Sequence, residues 1–555
     1  MNNKYKANPI VIGKKGVFMT KFIRNNPKTN ILDGLEWKNN IKLSNLPVTM
    51  DNKIINMTKT FNWLKKHSSM KITIFGDYDV DGITSSNIMK KNLLKMGFKD
   101  VRVRLPKRFT EGYGMSVKAV NEIDEGIVLC IDNGIKAHAA IKAAKDKGLY
   151  VIIIDHHLAD KELPKADIIV DPHVKANKGS FIEYCAAGLA YKFAQLFNDA
   201  VYLKTISTVA AIGTVADVMP LVNENRLLVQ KGIMDIEYCP KGLYDLLKEF
   251  GMERSLTAEK VAFKIAPCFN SCGRLRNAGA KIPLELLLSE DTSEINNLIM
   301  TINSLNEHRK QESKEMLYQA EQYISANGLE KDNVIIVVLP ETKTAHGIVG
   351  IVAGKIVEKY NRSAIVLAKK GDILKGSGRA VESHILVSPD GKTGILDKSK
   401  KYMLGYGGHK AACGLSLKAE KLKDFRKAVN DNAEAVPDIS NTVYYDFEAT
   451  VDMIPQIAKE MAELEPFGEG FRPLTFKIDL KNLKNTVLIG SSVKGAKIPI
   501  EQHINAMFFG NDKENEDILK AENIEAVGTI ASNIRTYQGV LYKDYQFMID
   551  NWNKK

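Results

Sequence analysis

The chain has 555 residues, too many for one hydrophobic core, and the usual size of a folding unit divides it into three or four. Its composition, 45% hydrophobic and 26% charged, is that of an ordinary globular protein, and no apolar run approaches the ~20 residues of a membrane span. A formal net charge of +12 favours a polyanionic partner such as nucleic acid.

Residues 1–54 are polar, with Pro9, Pro27 and Pro47, and read as an N-terminal arm packed on the body, anchored by Trp37. The segment 1–15 is basic and lacks the apolar centre of a secretory signal, so a cytoplasmic protein is expected. Six cysteines are scattered along the chain. Cys268 and Cys272 have no second pair to complete a zinc site, and all six read as reduced and structural.

From about residue 55 strands alternate with helices. Ile72–Phe75 reads as a strand that ends in Asp77-Tyr78-Asp79-Val80-Asp81-Gly82, followed by a helix from about Thr84 to Met96. Val101–Leu105 is a second apolar run. Ile127–Ile131 ends in Asp132-Asn133-Gly134, Tyr150–Ile154 in Asp155-His156-His157, and Ile168–Val170 in Asp171-Pro172. This alternation implies a doubly wound parallel sheet, whose strands all end along one edge, where ligands bind. Asp77, Asp79, Asp81, Asp132, Asp155, His156 and His157 therefore gather in space. One acidic turn alone could be a solvated surface. Carboxylates this close repel unless cations lie between them, and the recurrence of the pattern favours a metal site.

A nearly all-apolar helix follows from about Tyr202 to Asp217 and should be buried. Its terminal carboxylate, Asp217, opposes the helix dipole and needs a cation, unless it faces solvent beyond the helix end. One long helix is expected from Thr292 to Gly328, of the kind that bridges domains. A second α/β unit begins at Val334–Leu339, with a helix over Gly347–Tyr360 and a strand over Ala364–Ala368. Two small-residue segments come next, Gly376-Ser377-Gly378-Arg379 and 405–414, which contains His409. Each is either a tight turn or a place where backbone amides approach an anion. After about Asn441 five short strands, at 444–449, 474–478, 505–509, 524–530 and 541–549, fit a small barrel such as an OB-fold.

The four acidic motifs, Asp77-Tyr78-Asp79-Val80-Asp81, Asp132-Asn133-Gly134, Asp155-His156-His157 and Gly213 to Asp217, resemble those of the DHH phosphoesterases. Gly407 to Gly414 looks like the signature of the DHH-associated domain. Within that superfamily the chain is similar to the RecJ family of single-strand-specific exonucleases, over about residues 55–550. The stretches Pro106 to Gly114, Asn270 to Leu275 and Ser377 to Arg379 carry that closer likeness. The resemblance divides the chain into an arm (1–54), an α/β DHH catalytic domain (55–290), a linker helix (291–330), a smaller α/β DHH-associated domain (331–440) and an OB-like β-barrel that binds nucleic acid (441–555).

It implies a hydrolase that removes mononucleotides from the 5′ end of single-stranded DNA in repair and recombination, with two divalent cations, Mn2+ or Mg2+. Carried over by position, Asp77, Asp79, Asp81, Asp132, His156 and Asp217 would hold the metals, Asp132 as the bridge. His157 would face the scissile phosphate, and Asp155 would orient the histidines. Arg108, Arg274, Ser377 and Arg379 would hold DNA phosphates, the 5′-terminal one included, and His409 would line the same cleft. A helicase and a single-strand-binding protein are implied as partners, and a monomer is expected.

The chemistry agrees. Two cations roughly 3.5–4 Å apart can hold a nucleophile and stabilise the developing charge, and carboxylates with an imidazole suit Mn2+. Phe75 stands where some superfamily relatives carry a metal-binding histidine, so Asp77 must complete the first site. Two alternatives share these residues. One is a DHH phosphodiesterase acting on short oligonucleotides or cyclic dinucleotides, which would not need the C-terminal barrel. The other is a non-catalytic single-strand-binding scaffold, which would be expected to have lost metal ligands.

Overall fold

Strands that are buried on both faces read as continuous apolar runs, and Ile127–Ile131 is buried at every position. It lies at the middle of a five-stranded sheet. The order is Val101–Arg104, Ile72–Phe75, Ile127–Ile131, Tyr150–Ile154, Ile168–Val170, and every neighbouring pair is parallel. From the Ile72 strand the chain goes first to one side and then crosses to the other. The strand order therefore reverses between the Ile72 and Ile127 strands, and a crevice at such a switch point is where ligands bind. The structure, a computed structural model, describes residues 20–174, 181–342, 344–436, 442–490, 495–537 and 540–555. The first nineteen residues of the expected arm, Pro9 among them, lie outside the described residues.

The helix after the first acidic motif begins at Val80, four residues earlier than predicted. Asp79 is its N-cap, and its carboxylate accepts the Gly82 N–H at 3.1 Å, so Asp81 sits in the first helical turn. Gly82 has to be glycine: a Cβ there would lie 2.5 Å from the Asp77 nitrogen. The helix Ala200–Ala216 is buried from Ile206 to Thr214, with Asp217 as its C-cap. The stretch beyond Asp217 is mainly helical. It holds helices at Asn223–Met234, Lys241–Glu249 and Lys281–Leu288. A further helical run extends from Ala258 to Leu275, with a π turn at Val261–Ile265.

Two compact units form, one from Ser304–Val443 and the other from Phe22–Asn303 with Tyr444–Lys555. The long helix Thr292–Asn327 spans the division in the chain. In the Ser304–Val443 unit a mixed sheet runs Gly405–Gly408, Ala412–Lys418, Ile373–Arg379, Ser363–Lys370, Val334–Leu339, with only the last pair parallel. The two small-residue segments are thus largely paired strands, not turns or amide cradles. Glycine is needed because the backbones crowd: a Cβ on Gly376 would meet the Val366 carbonyl oxygen at 1.9 Å.

The C-terminal region departs from five short strands. It is a seven-stranded sheet that includes two strands of 15 residues, Asn523–Tyr537 and Val540–Lys554. Two helices, Ile454–Glu463 and Asp512–Leu519, accompany it. The described part of the arm contains helical structure. Ile31–Asn39 is a helix, and its anchor is Leu35, fully buried against the cluster that holds Phe447, Ile454 and Phe476. Trp37 is 37% exposed and does not fill that role. All six cysteines are buried thiols. No helix among the described residues is long and apolar enough to cross a membrane.

Candidate functional site

The strand ends bring the acidic motifs together, and backbone donors fix some of their carboxylates while leaving others open. Asp81 accepts the Ala186 and Ala187 N–H groups, one on each oxygen, at 2.7 and 2.8 Å. These are the first amides of a helix, a favourable place for negative charge. Asp155 accepts four donors: the N–H groups of Ile135, His156 and His157, and the Nδ1 of His157 at 2.8 Å. Asp132 has a left-handed backbone, φ +63°, uncommon without glycine and held here by its N–H to the Ile154 carbonyl. The amide of Asn133 donates to the carbonyls of Phe75 and Ile131, which ties the two central strand ends together.

His156 Nε2 lies 3.1 Å from Asp132, 3.6 Å from Asp81 and 3.7 Å from Asp217. Asp77 is fully buried. One of its oxygens meets the Gly114 N–H at 3.3 Å, and the other has no hydrogen-bond partner among the described residues. Ligand atoms of Asp77, Asp79 and Asp132 lie within 4.8 Å of one another, as do those of Asp81, His156 and Asp217. Asp155, His156, His157 and Asp132 make a third such group. Three donors converge on one Asp155 oxygen, whereas each Asp81 oxygen accepts one and leaves a lone pair, so the first two sets are the more open to cations.

Burial pushes the carboxyl groups of Asp77 and Asp132 well above their ordinary range, and neighbouring carboxylates push them further, Asp79 and Asp81 respectively. Asp79 rises for the same reasons, and Asp217 reaches about 9 through burial, then the charges of Asp81 and Asp79. Such a cluster has to take up protons or cations. Asp155 goes the other way: burial raises it, but the hydrogen bond and charge of His157 outweigh that. The partner effect on His157 is reciprocal. Burial favours its neutral form, and Asp155 overcomes this to hold it above the usual histidine range. His156 is held below that range, chiefly by burial, in the neutral form a metal requires. A buried oxygen with no donor, hard carboxylates and one neutral imidazole fit a pair of divalent cations such as Mn2+ or Mg2+.

Two cationic side chains belong to the same unit. The Arg108 guanidinium lies 4.5 Å from the centre of the Tyr78 ring. Its loop is tied down by Asn277, which binds the N–H groups of Arg108 and Phe109, and by Glu111, paired with Arg104 at 2.8 and 3.0 Å. Arg274 follows Gly273, whose absent Cβ would sit 3.2 Å from the Tyr78 carbonyl. Asp77, Asp79, Asp81, Asp132, Asp155, His156, His157, Asp217, Arg108 and Arg274 therefore share one unit. Ser377, Arg379 and His409 belong to the other. There the Ser377 hydroxyl donates to the Cys413 carbonyl at 2.8 Å, and Arg379 Nη1 donates to the Ser377 oxygen at 3.0 Å. His409 is exposed at the hairpin turn, with its N–H on the Ala412 carbonyl.

Sequence reasoning missed Tyr113. Its hydroxyl donates to the Asp132 carbonyl at 2.8 Å and lies 3.2 Å from His157 Nε2. It stands inside the Pro106 to Gly114 stretch already singled out, so the signal was there. Weight had gone to the charged residues of that stretch.

The family model for the DHH family, N-terminal domain, matches residues 71–214, that for the DHHA1 domain 331–435, and that for the RecJ OB domain 445–551. The single-stranded-DNA-specific exonuclease RecJ of Haemophilus influenzae is 30% identical over 461 residues, covering 78% of this chain and 78% of its own length. The Bacillus subtilis protein of the same description is 32% identical over 478 residues, 83% of this chain, and the chain spans only 59% of that relative. Among solved structures, RecJ of Thermus thermophilus in complex with Mn2+ has a TM-score of 0.75 at 25% identity, covering 94% of this chain and 76% of its own.

Proposed function

Because the chain belongs to the RecJ family of DHH phosphoesterases, we propose that it is a metal-dependent hydrolase that degrades single-stranded DNA from its 5′ end and releases 5′-mononucleotides, in DNA repair and recombination. The observation that carries the reading is the convergence of carboxylates with raised pKa around Asp132 and His156, with one buried Asp77 oxygen that has no hydrogen-bond partner among the described residues.

Asp77, Asp79 and Asp132 would hold one divalent cation, and Asp81, His156 and Asp217 the second, with Asp132 within reach of both through its contact to His156. Mn2+ or Mg2+ bound there would supply charge neutralisation at the scissile phosphate and activation of the attacking water. The chain's own groups do the rest. Asp155 holds the His157 ring by its Nδ1 and favours its protonated form, the form in which His157 would donate a proton to a phosphoryl oxygen or to the departing 3′-oxygen. The Tyr113 hydroxyl fixes the Asp132 backbone and flanks the same ring. Arg108 and Arg274 are proposed to hold backbone phosphates, for which guanidinium forks are suited. Ser377 and Arg379 are proposed to take the 5′-terminal phosphate, as Arg274 is to hold DNA phosphates, and His409 is proposed only to line the strand's path. The proposal includes an arm (1–54), a catalytic domain (55–290), a linker helix (291–330), a DHH-associated domain (331–440) and an OB-like domain (441–555), in a monomer that works with a helicase and a single-strand-binding protein.

The test is digestion of an internally labelled strand in Mn2+, offered with a 5′-phosphate, with a blocked 5′ end, and as blunt duplex. Stepwise mononucleotides from the first substrate alone support the proposal. Cleavage confined to dinucleotides replaces it with a small-substrate phosphodiesterase, and binding without cleavage in any metal replaces it with a scaffold.

A further inference from the structure

Among the carboxylates of the acidic cluster, Asp217 is held least by its own side chain. Asp81 has two backbone donors, Asp155 four donors and Asp79 one. The buried Asp217 Oδ2 has no hydrogen-bond partner among the described residues and meets only His156 Nε2, at 3.7 Å. Asp217 also follows no strand. It ends a helix, and the next residue, Val218, has φ +57°, a left-handed conformation that a β-branched residue adopts only under constraint. The helix holds the Asp217 and Met219 N–H groups on the Gly213 and Thr214 carbonyls, at 2.9 and 3.1 Å, and the remaining freedom of this ligand depends on what holds the turn beyond, to residue 222.

Much of that hold comes from the C-terminal part of the same unit. The Leu221 N–H donates to the Glu469 carbonyl at 2.7 Å. Four residues on, Asn225 Nδ2 donates to the Pro220 carbonyl at 3.1 Å. The buried Arg226 donates to three successive carbonyls: Nη2 to Leu464 at 2.6 Å and Glu465 at 3.1 Å, and Nη1 to Pro466 at 2.7 Å. Its guanidinium also stacks 4.2 Å from the Phe471 ring centre, and Gln230 adds a bond to the Glu465 carbonyl at 3.0 Å. The fit is close. A Cβ on Gly468 would come within 2.7 Å of Leu221, and one on Gly470, φ +70°, within 3.1 Å of Pro220.

We propose that segment 464–471, gripped by Arg226 and bonded to Leu221, is a positioning element for the metal centre. It sets where Asp217 presents its carboxylate, so the domain assigned to strand binding also tunes cation affinity. This rests on the reading of Asp217 as a metal ligand. Arg226 and Gly470 are positioning residues: neither touches the cation or the strand.

The test is Mn2+ titration by calorimetry on the full chain, with no DNA present, for the wild type, Arg226→Gln, Gly470→Ala and Asp217→Asn. Arg226→Gln and Gly470→Ala are expected to weaken Mn2+ binding about 5- to 10-fold. The loss of nuclease rate should be recovered at high Mn2+, so that the metal concentration for half-maximal rate moves while kcat does not. Gly470→Ala removes no buried charge and carries the test if Arg226→Gln does not fold. Variants that fold and melt lower but bind Mn2+ as the wild type does would overturn the proposal and leave the contact purely structural. Should Asp217→Asn itself bind Mn2+ normally, the ligand reading falls, and the proposal with it. A chain that binds Mn2+ in this pattern and cuts nothing would keep the positioning role and remove the nuclease reading.

Discussion

The molecule contains two five-stranded sheets, and they carry their polar groups in different ways. In the parallel sheet the chemistry lies just past the strand ends: Asp77 after the Ile72 strand, Asp132 after the Ile127 strand, Asp155 after the Tyr150 strand. In the mixed sheet Ser377 and Arg379 lie within a strand, and each is answered by a neighbour, the Cys413 carbonyl for one and the Ser377 oxygen for the other. A parallel sheet can collect like charges at one edge without disturbing its ladder, because its loops carry them. The result is several carboxylates in one place whose repulsion only protons or cations relieve. An antiparallel pairing spreads polar groups along the ladder, where single charges find backbone acceptors. One sheet thus gathers carboxylates that call for cations, and the other carries a guanidinium and a hydroxyl held within its own ladder.

The largest effect should come from breaking the acidic edge. Asp132→Ala is expected to lower single-strand cleavage by on the order of 10³-fold or more while leaving strand affinity within about twofold. Filter binding beside a nuclease assay checks this, and loss of folding along with activity would make Asp132 structural instead. The basic sheet is broken next. Arg379→Ala should cost about 10- to 100-fold in kcat/KM on 5′-phosphorylated strands, the worth of a charge-assisted phosphate contact, and little on strands with a 5′-hydroxyl. Equal losses on both substrates would remove Arg379 from the terminal-phosphate role. A smaller change sharpens the contrast within the acidic edge: Tyr113→Phe deletes one bond to the Asp132 carbonyl and should slow cleavage about 5-fold, with circular dichroism unchanged.

The smallest catalytic effect belongs to Glu465, which lies at neither sheet edge. Burial raises its carboxyl to about 7, and the charge of Glu259 adds to that against Lys260 and Arg226. The folded chain then binds this proton more tightly than the unfolded chain. The contribution is complete below the unfolded value near 4.5 and is lost as pH rises through about 7. Glu465→Gln should therefore melt higher than the wild type at pH 8, by no more than about 3 kcal/mol in stability, and nearly equally at pH 4.5. A difference between the two proteins that does not change with pH would count against the assignment.

What could be read from sequence follows from how far apart the determinants lie. The acidic edge was legible because three short motifs each followed an apolar run, and parallel topology turns that spacing into proximity. The arm was not. Leu35 rather than Trp37 is its anchor because Phe447 and Ile454, more than 400 residues on, offer the pocket. The glycine segments read as turns because small residues usually mark them. Here they mark strands packed so closely that a Cβ on Gly376 would run into the Val366 carbonyl. Tyr113 was passed over because a hydroxyl on a backbone carbonyl leaves no periodic trace.

The bond between Leu221 and Glu469 joins points roughly 250 residues apart in the chain. At about 5–20 residues per second of synthesis, the second is made roughly 10–50 seconds after the first. All the acidic motifs emerge from the ribosome well before the segment that steadies Asp217. A nascent chain would pass through that interval with its carboxylates assembled but one of them unsteadied, and so with a weaker hold on its metals. Its full hold on metal would in this way come only after segment 464–471 has been made.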